Sequence, residues 1–336
     1  MYVTLAVATV GAIVPPGPLS AQGLRLALGD FGLGIGDVPR LDGVRLNFRD
    51  RDLELVRGLN ATVWSPHSGN RGVVQGLAVG LPLTGAGDLT GVGVGAGVGA
   101  EGSLTGIGLG LIGMGAGGRI RGIAVAGLGV GSGGDVDGIA LGGLGVGSGG
   151  EIAGLAVGGV GVGAGGAITG IAVGGLGVGT GGDVTGLSIG GVGLAAGGNV
   201  TGVSVGGVGV GAGGDVTGLT IAGVGMGAGG RIEGLAIAGL GAGAPQLSGV
   251  VAAGLGVGSG DVRGLVIAPA YFKIANEGVL RGVGVSGFNH VLGEQRGLTI
   301  GLLNIAGELH GLQVGLINIA RNKESFSVLP LLNYHR

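Results

Sequence analysis

The chain has 336 residues, of which 94 are glycine, far above the ordinary share of this residue. No Gly-X-Y period accompanies the glycine, which excludes collagen, and the chain is too hydrophobic for a disordered glycine linker. The formal net charge of −2 gives no basis for nucleic-acid binding. Because the sequence has no cysteine, disulfides, thiolate metal sites and a cysteine nucleophile are excluded.

Residues 2–21 form an apolar run that ends in prolines and small residues. This pattern is typical of a secretory signal, and the run is too short to span a membrane. We therefore expect residues 1–22 to be a signal peptide and the mature protein to be secreted or held in the cell envelope.

Residues 23–75 are more polar and less regular than the rest of the chain. Residues 44–48 and 53–55 alternate like strands, and the charged residues 49–52 between them are interpreted as a solvated turn. Repeat architectures need an atypical end that covers the core. We predict an N-terminal cap with irregular first coils over this range.

A glycine-rich repeat occupies residues 76–263, and most of it has a period of sixteen residues. The opening glycines of the regular units are Gly106, Gly122, Gly138, Gly154, Gly170, Gly186, Gly202, Gly218 and Gly234. A fixed period of this size indicates a repeat architecture. Each unit carries about six glycines at roughly 1 kcal/mol each, which excludes a helix.

Large apolar residues recur at offsets one, three, six, eight and fourteen from each opening glycine. Offsets one and three are two residues apart, as are offsets six and eight, which is the spacing of residues on one face of a strand. The first pair is odd and the second is even, so a straight strand would place the two pairs on opposite faces. A chain that bends at the Gly-Gly between them would direct all five side chains inward. The sequence therefore predicts an all-β, single-chain β-solenoid (β-helix) with coils of about 14–18 residues, mostly 16. About 17 coils at ~4.8 Å each give a rod ~80 Å long.

If the large residues are inside, the outside carries only alanine, serine or threonine at offset two and glycine at offset seven. Such a Gly/Ala face is flat, and glycine marks close backbone approach. We expect self-association through this interaction face. Its offset-seven members are Gly129, Gly145, Gly161, Gly177, Gly193, Gly209, Gly225 and Gly241.

Residues 264–336 are predicted to be C-terminal solenoid coils and a cap, with a more polar surface. Asn289, Asn304 and Asn318 recur at one offset, which indicates a water-facing, hydrogen-bonded column. The GLTIGLLN unit at 297–304 and the GLQVGLIN unit at 311–318 resemble those of uncharacterised bacterial surface-repeat proteins. The resemblance covers about residues 264–336. It implies export to the bacterial envelope or beyond and brings no catalytic residues.

One column of the repeat is charged, at offset thirteen. Asp135, Asp137 and Glu151 are candidate calcium ligands, because calcium takes several carboxylate oxygens. Ala167 and Arg231 interrupt the column, which favours a solubilising turn instead.

Four histidines have no metal-ligand spacing, and nothing marks a nucleophile or an acid–base pair. They are His67, His290, His310 and His335. Glu294 and Glu308 are the acids nearest in sequence to His290 and His310.

These observations predict a non-enzymatic, secreted or envelope-associated repeat protein with a structural, adhesive or self-assembly role. It would need no cofactor, and its expected partner is a second copy. An outer-membrane β-barrel of antiparallel strands is the first alternative, but the parity change makes membrane insertion the less favoured interpretation. An enzyme that acts on a surface polymer would need clustered acids on the solenoid. Binding to ice or a crystalline surface would need a regular threonine array, and Thr220 is nearly alone at its offset.

Overall fold

The structure is a computed structural model and describes residues 23–64 and 71–336. The predicted signal peptide and His67 lie outside the described residues. The described ranges contain strands and turns and no helix, so they hold no helix that could span a membrane.

Twenty-six strands follow one another along the described chain. The first are β1 (Leu24–Leu28), β2 (Phe31–Ile35), β3 (Arg40–Asn47), β4 (Leu55–Thr62), β5 (Val73–Ala86), β6 (Asp88–Ala100) and β7 (Leu104–Ala116). The longer strands of the regular array are β8 (Ile120–Ala126), β10 (Val136–Gly142), β12 (Ile152–Gly158), β14 (Ile168–Gly174), β16 (Val184–Gly190), β18 (Val200–Gly206), β20 (Val216–Ala222) and β22 (Arg231–Ala238). Between them lie the four-residue strands β9 (Gly129–Ser132), β11 (Gly145–Ser148), β13 (Gly161–Ala164), β15 (Gly177–Thr180), β17 (Gly193–Ala196), β19 (Gly209–Ala212) and β21 (Gly225–Ala228). The last are β23 (Gly241–Ala253), β24 (Gly256–Ile274), β25 (Val279–Ala320) and β26 (Val328–His335).

Successive coils stack in parallel with equivalent residues in register, which confirms the predicted β-solenoid. The long strand β10 pairs with β8 and β12, and the short strands form a second parallel ladder beside them. The stack begins within the predicted cap, since Gly43 already pairs with Gly58 and Gly58 with Gly76. Antiparallel pairing joins β1 to β2 and β25 to β26, at the two ends of the described chain.

The direction of the side chains differs from the prediction. In the coil that opens at Gly170, Ala172, Val178 and Val184 are 0–2% exposed, whereas Ile171 is 42% and Leu176 is 57% exposed. The same pattern recurs along the array. Offsets eight and fourteen are inside as predicted, but the prediction that offsets one, three and six point inward is wrong. Offset two, predicted to be outside, belongs to the core.

The narrow interior explains this arrangement. A Cβ added at Gly174, at offset four, would lie 2.0 Å from the carbonyl oxygen of Gly177, across the bend between the long and short strands. Only glycine fits at that position, and no coil of the array has a residue larger than alanine at offset four. Offset two holds alanine, serine or threonine for the same lack of room. Offsets two, four and fourteen on the long strand and offset eight on the short strand all point inward, and all are even. The predicted switch from odd to even inward offsets is therefore not needed. The offset-six residue lies at the outer corner.

The opening glycine is required by backbone geometry. Gly170 has φ of +116°, a conformation that residues with a Cβ rarely adopt, and an added Cβ would lie 2.2 Å from the carbonyl oxygen of Gly154. The opening glycines from Gly43 to Gly297 have φ between 106° and 151°. The positive φ of each regular coil therefore lies at its opening glycine.

The core becomes polar towards the C-terminus. The Asn289 amide donates to the Oδ1 of Asn304 at 2.8 Å, and the Asn304 amide donates to the Oδ1 of Asn318 at 2.7 Å. The hydrogen-bonded column is thus confirmed. Its predicted exposure to water is wrong, because all three side chains are fully buried.

Candidate interaction surfaces

Three columns of large aliphatic side chains run along the outside of the regular array and form what we call the aliphatic face. They occupy offsets one and three of the long strand and offset six at the corner. Ile123, Ile139 and Ile171 at offset one are 38–42% exposed, and the offset-six column is 41–57% exposed. The offset-six members are Leu128, Leu144, Val160, Leu176, Val192, Val208, Val224 and Leu240.

The aliphatic face is large for a monomer. Three columns of eight side chains, at roughly 60–70 Å² of exposed area each, give on the order of 1,500 Å². The largest apolar patch of a typical monomer covers only about 300–600 Å². A surface of this size and composition is a candidate interaction site.

Charge is nearly absent from the centre of the array. Between residues 152 and 230 the only charged side chains are Asp183 and Asp215, and both lie in the offset-thirteen turn. Neither the aliphatic face nor the short strands carry a charge over these coils. Electrostatic repulsion would therefore not oppose contact with an apolar partner there.

The offset-seven glycines also lie on the outside, on the short strands next to the corner. A Cβ at Gly161 would meet only the carbonyl oxygen of Gly177, at 3.3 Å, and a Cβ at Gly179, at offset nine, would meet nothing within 4 Å. The glycine column predicted from the sequence is therefore open to the outside. The offset-two column, predicted to share this outer face, is not open to the outside, since Ala156 and Ala172 are buried.

Arginines engage two of the three candidate calcium ligands. The Nη2 of Arg119 lies 2.7 Å from the Oδ2 of Asp135, and the Nη2 of Arg121 lies 3.6 Å from the Oδ2 of Asp137. The backbone N–H of Glu151 donates to the Oδ1 of Asp135 at 3.1 Å. This N–H and then Arg119 hold the pKa of Asp135 below its usual value. Calcium would have to replace these contacts.

Most offset-thirteen acids and amides bond to the backbone of the next coil. The Oδ1 of Asp183 accepts from the N–H of Asn199 at 2.6 Å, and the Oδ1 of Asn199 accepts from the N–H of Asp215 at 2.8 Å. Asp215 does the same for the N–H of Arg231 at 2.7 Å. The charged column thus serves coil stacking, and asparagine can replace aspartate because its Oδ1 is also an acceptor.

The regular threonine column of the array lies at offset fifteen, and not at offset two, where Thr220 is nearly alone. Thr169, Thr185, Thr201 and Thr217 occupy offset fifteen, directly before the opening glycine. They pair in register across β14, β16, β18 and β20. The first three are exposed and the fourth is half-buried, so they form one regular outward row beside the aliphatic face.

The charged segment at residues 49–52 is only partly the solvated turn that was predicted. Asp50 is fully buried and forms an ion pair with the buried guanidinium of Arg45. Asp50 also accepts from the Nδ2 of Asn47 at 2.8 Å and from the Oγ1 of Thr62 at 2.8 Å. Arg51 is exposed, in keeping with the prediction. The cluster fills the interior of the first coils, where it acts as a polar core.

The C-terminal coils bring together residues that the sequence left separate. Ligand atoms of Glu294, Glu308 and His310 all lie within 4.8 Å of one another. The Arg296 side chain donates to Glu294 at 2.6 Å and is the main reason why the pKa of Glu294 lies below its usual value. Sequence spacing alone hides this cluster, because Glu294 lies one coil before the other two.

His290 takes no part in that cluster. Its Nδ1 lies 3.1 Å from the hydroxyl oxygen of Tyr271, and its ring stacks on Phe288. Burial, followed by the charges of Arg321 and Lys273, lowers the pKa of His290. These contacts are typical of a packed aromatic corner.

Comparison with known proteins gave no relative: no family model, curated protein or solved structure matches this chain. The sequence, the fold and its surfaces are therefore the basis for any functional conclusion.

Proposed function

We propose that this protein is a non-enzymatic structural component, secreted or attached to the bacterial envelope, that assembles side by side with copies of itself. Export rests on the signal-like residues 2–21 and on the resemblance of the C-terminal units to surface-repeat proteins. Assembly rests on one observation above all, the uncharged aliphatic face on the outside of the array.

The area of the aliphatic face fits a second copy of the chain. A standard stable interface buries about 800 Å² on each partner, and the face offers on the order of 1,500 Å². Burial of even half of that area at ~25 cal/mol per Å² is a large driving force, part of which offsets the entropy lost on association.

The spacing of the columns also fits a second copy. Each column repeats at the strand spacing of ~4.8 Å, and a second copy carries the same period. Ridges of one face can therefore enter the grooves of the other along many coils.

The contact surface can be tested with two triple-lysine variants in the same three coils. The first is Val157→Lys/Val173→Lys/Val205→Lys on the aliphatic face. The second, Gly163→Lys/Gly179→Lys/Gly211→Lys, adds the same charge at offset nine of the short strands. Both sets point outward, so far-UV circular dichroism should remain unchanged.

Sedimentation velocity over a range of concentrations should show that the wild type and the glycine variant assemble. The aliphatic variant should stay monomeric at concentrations at least tenfold higher. A wild type that remains monomeric throughout would overturn the proposal. Loss of assembly in the glycine variant alone would move the contact to the glycine column.

A second candidate function follows from the threonine column. A flat, regular face with a row of threonines at the strand spacing is suited to ordered water or a crystalline surface. We propose ice binding as the alternative, to be tested by thermal hysteresis of the wild type and of Thr185→Lys/Thr201→Lys. Hysteresis that is lost in the variant would support it. Absence of hysteresis in the wild type would dismiss it.

A further inference from the structure

We propose that Glu294, Glu308 and His310 bind a divalent first-row transition-metal ion, for which Zn²⁺ is the best match, with His335 as a further ligand. The site is independent of the assembly proposed above. It lies on the outside of the last coils, next to the closing strand β26.

The solenoid register brings the three side chains together. Gly297 and Gly311 open adjacent coils, since a Cβ added at Gly311 would lie 2.2 Å from the carbonyl oxygen of Gly297. Glu294 and Glu308 each precede their opening glycine by three residues and therefore occupy one column. His310 lies two residues after Glu308 on the same strand, so both side chains face the same side.

The charges of the cluster favour a cation. Two carboxylates one strand spacing apart repel each other. Arg296 balances Glu294, and the Nε2 of His310 lies 3.6 Å from the Oε1 of Glu294. Glu308 is exposed and makes no ion pair or hydrogen bond with the described residues. A divalent ion would draw Glu308 into the cluster and remove the repulsion.

The closing strand supplies a second imidazole. β26 runs antiparallel to β25 and pairs His335 with Gly311. The rings of His310 and His335 are stacked with centroids 6.2 Å apart. The His335 ring therefore lies next to the imidazole of the cluster.

The donor set selects the class of ion. Two carboxylates and two imidazoles supply the mixed oxygen and nitrogen ligands that Zn²⁺ accepts in four-coordinate sites. Calcium and magnesium take oxygen ligands and would leave the histidines unused. With His335 as a ligand, a bound ion would add a link between β26 and the last coil to the antiparallel pairing already present.

Calorimetric titration of the untagged full-length protein with ZnCl₂ tests the site. We expect one ion per chain, binding weakened at least tenfold in Glu308→Gln and in His310→Asn, and unchanged binding in the control His290→Gln. Thermal unfolding should shift upward with Zn²⁺ in the wild type and in His290→Gln, and should not shift in His310→Asn.

Three results would contradict the proposal. The first is the absence of Zn²⁺ binding by the wild type in the calorimetric titration. The second is equal binding by the wild type and His310→Asn. The third is preference for Ca²⁺ or Mg²⁺ over Zn²⁺. Circular dichroism of each variant without metal shows whether lost binding comes from a lost fold. If His310→Asn fails to fold, Glu308→Gln on the exposed partner-free carboxylate decides the question.

Discussion

The opening glycine of each coil carries the tightest geometric requirement in the molecule. We expect Gly170→Ala to lower the free energy of unfolding by about 2–5 kcal/mol, because a Cβ there overlaps a backbone oxygen and strains φ. Gly179→Ala, in open space at offset nine, is the matched control and should change stability by less than about 1 kcal/mol. Urea unfolding followed by circular dichroism measures both. Equal midpoints for the two variants would contradict the steric argument.

The buried ion pair at the N-terminal end gives a second prediction at this scale. Asp50→Ala removes the closest carboxylate from the buried Arg45 guanidinium and leaves it only the more distant Asp37, whose Oδ1 lies 3.8 Å from the Nη2 of Arg45. We expect this change to cost about 3 kcal/mol. Asp52→Ala, two residues away and exposed, should have little effect. Thermal unfolding of the two variants tests this, and a harmless Asp50→Ala would show that the first coils do not depend on the pair.

At the scale of the coil, offset thirteen joins each turn to the next. Asp183→Ala removes the acceptor for the N–H of Asn199 and should cost about 0.5–1 kcal/mol. Asp183→Asn keeps an acceptor at the same place and should retain most of the stability. Hydrogen exchange at the amide of Asn199 distinguishes them. Equal protection in both variants would contradict the assigned role.

The asparagine column plays the corresponding part in the C-terminal coils. Asn304→Ala leaves the buried Oδ1 of Asn318 without its donor, whereas the Asn289 amide keeps the carbonyl oxygens of Ser286 and Ile300 as acceptors. The loss should cost about 1–3 kcal/mol. The exposed Asn276→Ala is the control. Limited proteolysis should cut the C-terminal coils first in Asn304→Ala. An unchanged pattern would mean that the column contributes little to stability.

The period, the strands and the boundaries of the coils could be predicted from the sequence, because glycines and aliphatic residues recur at fixed offsets. The inward direction could not. Both Ile171 and Ala172 are apolar, so strand alternation cannot tell which of them faces the core. The width of the interior decides which residue faces the core. The close approach of Gly174 and Gly177 sets this width, and it exists only in the folded coil.

The candidate sites show the same limit. The regular offset of the glycine column is enough to predict that it lies outside. The aliphatic face next to it cannot be predicted in this way, because large apolar residues at strand spacing normally indicate a core. The threonine column could have been found from Thr169 and Thr185 by scanning offset fifteen. Glu294, Glu308 and His310 form a cluster only through the fourteen-residue register of the last coils.

The whole molecule is a narrow rod whose core combines aliphatic residues at offsets eight and fourteen with small residues at offsets two and four, while further large aliphatic side chains lie outside. A stack of this kind, at ~4.8 Å per coil, should measure roughly 70–80 Å in length. Small-angle scattering should give this length at low concentration. At higher concentration the cross-section should grow while the length stays constant, because assembly is side by side. Growth in length alone would indicate end-to-end contact instead.

The small residues at offset two face the core, and the large residues at offsets one and six face outward. Thiol labelling of single-cysteine variants tests this arrangement most directly. The chain has no cysteine, so each variant carries one reporter. At concentrations below the onset of assembly, Ile171→Cys and Leu176→Cys should react with a maleimide at nearly the rate of the unfolded chain. Ala172→Cys should react only after denaturation. Rapid labelling of Ala172→Cys together with protection of Ile171→Cys would reverse the faces of the solenoid and contradict the account.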